Sequence, residues 1–180
     1  VPIVRTEMQS FLHFLMKMKQ PMKILEVGTA IGFSALLMSE YAPEGCQITT
    51  IEKYEPRIPI AKANFEKAGK QDVITLLEGD ATEILKGLTD SYDLIFMDAA
   101  KGQYINFMPE ILRLLKKGGI FMGGYDLGIN YLFDEGETEA KYALPFNPLK
   151  DPALYDLSMK NDWGIQFSHT LEEQIGGQLK

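Results

Sequence analysis

Two rhythms of apolar positions alternate along most of this chain. From Thr6 to Lys19 they recur at helical spacing, through Met8, Phe11, Leu12, Leu15, Met16 and Met18, with Thr6 placed to cap the helix and Pro21 to end it. A short unbroken apolar run follows at Lys23–Val27. It leads into a glycine turn with Gly28 and Gly32, and an amphipathic helix over Phe33–Tyr41 comes next. After a turn at 42–45, the β-branched run Gln47–Glu52 reads as a second strand. The spacing then predicts a helix over 56–68 with Gly69 at its C′ position, a third strand over 73–78 and a short helix from Gly79-Asp80 to Leu85. A fourth strand over Tyr92–Met97 precedes a helix over 104–115, which Gly118-Gly119 stops, and a fifth strand begins at 120–122. The strands read as buried runs rather than alternating ones, and the connections are short. Both features predict an α/β fold built on a doubly wound parallel sheet.

The rhythm fails after residue 122. Gly123, Gly124 and Gly128 loosen the chain, residues 134–139 are acidic, and Pro145, Pro148 and Pro152 punctuate a long segment. A helix is expected again from Ser168 over 168–174. So long an irregular stretch either covers an active site or is a poorly ordered tail. The expectation is one domain over 1–180, with a cofactor-binding core in 1–122 and an acceptor-side or lid segment in 123–180.

Composition narrows the partners. The 180 residues are 46% hydrophobic and carry a net charge of -7 with no cluster of lysine and arginine, which argues against nucleic acid or an anionic membrane. No apolar run is long enough to span a bilayer, and there is no signal-peptide pattern. Cys46 is the single cysteine, so no internal disulfide can form and a cytoplasmic location is expected. Cys46, Trp163 and the methionines read as packing residues, and His13 and His169 as structural or exposed ones.

The candidate chemistry sits at the strand ends. The turn is G-x-x-x-G, not the dinucleotide pattern G-x-G-x-x-G. Glu26 lies inside an apolar strand, where an unpaired carboxylate is costly; cofactor contact or a backbone-amide partner is expected for it. Glu52 ends the second strand, where a carboxylate can accept both hydroxyls of a ribose. Asp80 follows the third strand, placed to accept from an adenine amine, and Asp98 follows the fourth. Ser34 is placed to donate to a cofactor carboxylate or to cap its helix. Carboxylates along one sheet edge repel a pyrophosphate and suit a cationic cofactor without phosphate, such as S-adenosylmethionine.

Residues 1 to about 120 resemble the bacterial O-methyltransferases related to catechol and caffeoyl-CoA O-methyltransferases. I-L-E-V-G-T-A-I-G-F-S-A matches their cofactor loop, I-E-K-Y-E their ribose segment and E-G-D-A their adenine segment. F-M-D-A-A-K-G-Q-Y matches the segment with a metal-ligand aspartate and a nearby lysine. The resemblance implies a class I, Rossmann-like methyltransferase fold. It implies cofactor contacts from Glu26, Gly28, Thr29, Ala30, Gly32, Ser34, Glu52, Lys53, Gly79, Asp80, Ala81 and Asp98. It also implies catalytic roles for Asp98 and for Lys101 as the base that deprotonates a hydroxyl; a merely solvated lysine is the other reading. Asp98 has three readings: metal ligand, steering group for the sulfonium, or helix cap.

The likeness departs where the family carries an Asp-Asn pair that completes a divalent-metal site. Gly124 and Tyr125 stand there, with Asp126 displaced by two, so no metal is expected. From about residue 119 the chain resembles the C-terminal part of a different, metal-independent class I group. It does so through G-I-N-Y-L-F-D-E, L-P-F-N-P-L-K-D-P and F-S-H-T-L-E-E-Q-I-G-G-Q-L. The chain therefore reads as a hybrid cut at both ends, with the last two usual strands missing. The expected function is O-methyl transfer to a small hydroxylated acceptor. The alternatives are a cofactor-binding scaffold without turnover and an NAD-dependent oxidoreductase. The fifth strand is left with an uncovered edge, over which either residues 125–167 fold back or two chains meet as a homodimer.

Overall fold

The computed structural model describes Val4 and residues 6–99, 101–124, 138–142, 144, 146–160 and 168, with Lys101 described in its backbone only. The chain forms two compact units: Val1–Ala99 with Gln103–Gly123, and Ala100–Gly102 with Gly124–Lys180. No helix among the described residues is long and apolar enough to cross a membrane.

The first unit alternates helix and strand in the expected order. Its helices are α1 (Thr6–Lys19), α2 (Phe33–Tyr41), α3 (Ile58–Lys67), α4 (Ala81–Gly87) and α5 (Tyr104–Leu114); its strands are β1 (Lys23–Val27), β2 (Gln47–Glu52), β3 (Ile74–Glu78), β4 (Tyr92–Met97) and β5 (Leu115–Gly123). The sheet is parallel, in the order β3-β2-β1-β4-β5. The doubly wound parallel sheet read from the sequence is therefore the fold of this unit.

Alternate residues of each strand feed two cores. Ile24, Ile48, Ile74, Leu94 and Phe96 meet α1, α2 and α3 through Leu12, Met16, Met38 and Phe65. Leu25, Val27, Ile51, Ile95 and Met97 meet α4 and α5 through Leu85, Phe107, Ile111 and Leu114. Helices on both faces explain why the strands carry no polar side.

Short devices fix the strand starts and helix ends. Asp93 Oδ2 accepts from the amides of Met22 and Lys23 at 2.9 and 2.8 Å, and its Oδ1 takes the Lys116 ammonium at 2.7 Å. One carboxylate thus ties together the starts of β1, β4 and β5. At the end of α3, Gly69 N donates to Glu66 O and Lys70 N to Phe65 O, the paired bonds of a Schellman turn, with Gly69 at φ +64°. The glycine expected at C′ is there because the backbone turns left-handed.

The start of the fifth strand differs from the sequence reading. α5 stops at Leu114 and β5 begins at once, at Leu115. Leu115 pairs with Tyr92, but the next paired residues are Ile120 and Leu94, so residues 116–119 bulge out between them. Gly118 takes φ +80° inside this bulge rather than ending a helix.

The second unit contains a helix that the sequence reading lacked. A short 3-10 helix, Pro148–Lys150, is capped by Asn147 Oδ1 accepting from Leu149 N at 3.1 Å. The helix α6 (Pro152–Lys160) follows, and Asp151 Oδ1 accepts from Ala153 N and Leu154 N at 3.0 and 3.3 Å. Pro152 is thus the first residue of a capped helix, not a breaker. Ser168 exchanges two hydrogen bonds with the backbone of Phe146, and the rest of the expected 168–174 helix lies outside the described residues.

Gly69→Ala should cost about 1 kcal/mol, because alanine must take a left-handed φ in open space. Gly32→Ala should cost more, because its Cβ would also lie 2.4 Å from the Phe65 ring. Urea denaturation of both variants ranks the two costs, and equal losses would refute the steric account.

Candidate functional site

In the order β3-β2-β1-β4-β5, connections reverse direction between β1 and β4, and a crevice opens beyond the C-terminal ends of these strands. The segment 28–32 follows β1 there and Asp98 follows β4. Gly28 has φ +103°, and a Cβ there would sit 2.3 Å from the Asp98 carbonyl oxygen. The end of β4 therefore requires glycine at 28, and Phe65 requires it at 32. Packing within the protein explains both residues without a ligand.

Other bonds shape the turn. The amides of Gly28 and Thr29 both donate to Ile51 O, at 3.0 and 3.1 Å. Ala30 takes a left-handed φ of 48°, and its amide donates to Glu52 Oε2 at 2.7 Å. Asn64 on α3 donates to Ile31 O at 2.8 Å. Gly32 precedes α2 with no side-chain cap, so the first-turn amides of α2 have no intrahelical acceptor.

Four carboxylates mark the strand ends. Glu26 on β1 is fully buried. Ser34 Oγ donates to its Oε1, and Thr50 Oγ1 donates to its Oε2 at 2.5 Å. Its partners are side-chain hydroxyls rather than backbone amides, and the Ser34 proton goes to Glu26 rather than to the helix end. Burial pushes the Glu26 carboxyl up to about 7; the two hydroxyls oppose this, and the negative charges of Asp98 and Glu52 reinforce it.

Glu52 ends β2 and is 8% exposed. Its Oε1 accepts from Tyr54 N at 2.9 Å and its Oε2 from Ala30 N. Each oxygen keeps a second lone pair for another donor. Asp80 caps α4 through Thr82 N at 2.8 Å, and Lys53 lies 3.3 Å from its other oxygen. Hydrogen bonds from Thr82, and then Lys53, hold the Asp80 carboxyl below its usual range. Gly79 N donates to Glu52 O at 2.9 Å and Ala81 begins α4, so both stand beside Asp80. Asp98 is exposed just past β4, with its amide donating to Val27 O at 2.9 Å.

The structure thus brings the predicted residues of β1, β2, β3 and β4 to one end of the sheet. Lys101 begins a 3-10 helix, Lys101–Gln103, and belongs in sequence to the second unit; its side chain lies outside the described residues, as do Tyr125, Asp126 and Asn130. Among the described residues no group of three His, Cys, Asp or Glu side chains is placed to hold a metal. Sequence reasoning missed Thr50 and Asn64. A threonine in a β-branched strand and an asparagine on a helix carry no signal of their own.

The acceptor-rich chemistry at Glu26 and Glu52 fits a cationic ligand bearing hydroxyls and does not fit a pyrophosphate. A family model described as O-methyltransferase matches residues 2–143. The chain belongs to the O-methyltransferase family. This match runs past residue 119, where the second likeness begins. A catechol O-methyltransferase of Niastella koreensis is 31% identical over 134 residues, covering 72% of this chain and 60% of the relative. A caffeoyl-CoA O-methyltransferase of Stellaria longipes is 32% identical over 158 residues, covering 84% and 59%. A crystal structure of an O-methyltransferase from Bacillus cereus in complex with SAH superposes with a TM-score of 0.64 at 27% identity, covering 67% of this chain and 57% of that one. The chain thus spans about three fifths of these relatives.

The buried acid of this O-methyltransferase-family chain makes stability depend on pH. Its folded pKa of about 7 lies above the ordinary 4.5, so the folded state holds a proton that the unfolded state has released. The contribution of Glu26 to stability is greatest below the ordinary value and falls as pH rises through 4.5 to 7, by about 3 kcal/mol. Glu26→Gln should remove this fall, so the variant gains on the native chain between pH 4.5 and pH 8 in denaturant titrations. An unchanged difference would contradict the burial argument.

Proposed function

We propose that this chain binds S-adenosylmethionine at the crevice between β1 and β4 and transfers its methyl group to the oxygen of a small hydroxylated acceptor. The observation that carries the reading is the set Glu26, Glu52, Asp80 and Asp98 at one sheet end, two of them buried and none placed to welcome a phosphate. Family membership and the names of the relatives, catechol and caffeoyl-CoA O-methyltransferases, support the reaction class.

When bound, S-adenosylmethionine supplies an electrophilic methyl group on a cationic sulfur. The residues of the chain hold and orient. Glu52 accepts the ribose hydroxyls through its spare lone pairs, with Lys53 beside it. Asp80 with Gly79 and Ala81 receives the adenine edge. The segment Gly28, Thr29, Ala30, Gly32 and Ser34, with the α2 amides, receives the amino-acid end above Glu26. Asp98 steers the positive sulfur toward the acceptor, and Lys101 takes the hydroxyl proton on Nζ. Holding the two reactants in line is the main catalytic task of such a displacement.

Metal is not required, because Gly124 and Tyr125 replace the ligand pair of the family. The partner is a small molecule rather than nucleic acid or a membrane, in the cytoplasm. Among the described residues no strand covers the outer edge of β5, and two chains pair along it; sedimentation at several concentrations tests this.

Titration calorimetry with S-adenosylmethionine, S-adenosylhomocysteine and NAD should show binding of the first two alone. Glu52→Gln should weaken S-adenosylhomocysteine by ~1.5–3 kcal/mol, the scale of a hydrogen bond to a charged group. Unchanged affinity would remove the ribose assignment, and binding of NAD alone would favour an oxidoreductase. Methyl transfer to catechol or caffeoyl-CoA should persist after chelation of Mg²⁺. Binding without any transfer would leave a cofactor-binding scaffold.

A further inference from the structure

Nothing in the packing of β1 calls for a carboxylate at position 26. Its neighbours on the same face are Ile24, Ile48 and Phe96, all buried. Glu26 nonetheless lies at the root of a chain of buried hydroxyls. Thr50 Oγ1 donates to Glu26, and Thr29 Oγ1 lies 2.6 Å from Thr50 Oγ1. A hydroxyl has one proton. With Glu26 ionised, Thr50 gives its proton to the carboxylate and Thr29 is then the donor to Thr50. With Ser34 also donating to Glu26, every proton in the chain points toward the carboxylate. This is the arrangement that an ionised, acceptor-only carboxylate requires.

A protonated Glu26 cannot keep it. Its own O–H must then donate to Ser34 or Thr50, and the hydroxyl that receives it must turn its proton away. If Thr50 turns, its proton faces Thr29, and Thr29 must turn too. Thr29 belongs to the segment 28–32, so the hydroxyl chain links the acid to a side chain of that segment.

Among the described residues, the surroundings of Glu26 offer no compensating cation. Asp98 from the end of β4 and Glu52 from the end of β2 face it, and both are anionic. The segment 28–32 holds no charged residue, and the first turn of α2 holds no charged residue. α1 packs on this face through Leu12, Leu15 and Met16, with Glu7, Lys17 and Lys19 exposed; α3 packs through Ala61 and Phe65, with Lys62, Glu66 and Lys67 exposed. β5 contributes Ile120 and Met122.

We propose that Thr50 is a positioning residue that couples the ionisation of Glu26 to the segment 28–32, so that binding a cationic cofactor drives the Glu26 proton into solvent. The inference rests on the reading of the site as one for S-adenosylmethionine. The step balances as loss of one proton from the carboxyl to buffer, with the carboxylate left facing the bound positive charge. Burial already places the titration of Glu26 near neutrality, at about 7, so the exchange falls in an accessible range.

The test is titration calorimetry of the full chain with S-adenosylmethionine from pH 6 to 8.5, in two buffers of different ionisation enthalpy. Affinity should rise about tenfold per pH unit below the midpoint and level off above it. The buffer dependence of the heat should report release of close to one proton at pH 6. Glu26→Gln should abolish both effects. Thr50→Val removes the hydroxyl that favours the ionised acid, so the midpoint should move to higher pH, and Thr50→Ser should return it. Affinity that ignores pH, with no buffer-dependent heat, overturns the coupling but leaves the cofactor reading standing. Proton release that survives in Glu26→Gln also overturns it, because another group then supplies the proton. Failure of the native chain to bind S-adenosylmethionine at any pH overturns the cofactor reading itself.

Discussion

The close approach of the β1 end to the β4 end governs this molecule. Gly28 can lie against the Asp98 carbonyl only because it has no Cβ, and Asp98 N reaches back to Val27 O at 2.9 Å. Those two contacts hold β1 and β4 in register to their last residues. Beyond them the connections must part, because β1 leads to α2 on one face while β4 leads to α5 on the other. The crevice is the space left by that divergence. Its position follows from strand order and one missing side chain, before any functional residue is considered.

Electrostatics then decide what the crevice can hold. Parallel strands all present their C-terminal ends to one side, so an acid at the end of each strand accumulates there. Glu26 and Glu52 are buried, yet both have their oxygens engaged by hydroxyls or backbone amides. Those donors make burial tolerable, although at Glu26 they only partly offset the burial that pushes its carboxyl up to about 7. The result is a region of negative potential with spare acceptor capacity, the complement of a cation that carries hydroxyls. Asp80 is engaged in the same way, with its helix-capping bond on one oxygen and Lys53 at the other.

Much of the first unit could be read in advance. Buried apolar runs alternating with helical periodicity fixed five strands and their helices to within a few residues, because helices on both faces leave no polar side on a parallel strand. The reading weakened where one residue has two meanings. Gly118 reads in the sequence as a helix stop, but it turns a bulge inside β5, since Leu115 pairs with Tyr92 before the chain loops out. Pro152 punctuates an irregular stretch in the sequence, yet Asp151 caps the helix that it begins. Proline is a breaker inside a helix and a starter at its first turn, and only the cap beside it distinguishes the two.

Sequence by itself determined the order of elements, the parallel sheet, the acids at the strand ends and the family. These are local: each depends on residue type and spacing within one segment, and strand polarity carries the acids to a common edge. Only the tertiary structure decided how those acids are used. Glu26 finds Ser34 and Thr50, Glu52 finds Ala30 and Tyr54, and the glycines answer to Asp98 and Phe65. Most of these partners come from other elements, some of them more than twenty residues away along the chain. Hydrogen-bond geometry and steric clearance are set by distances across the fold, and spacing along one chain segment does not encode them.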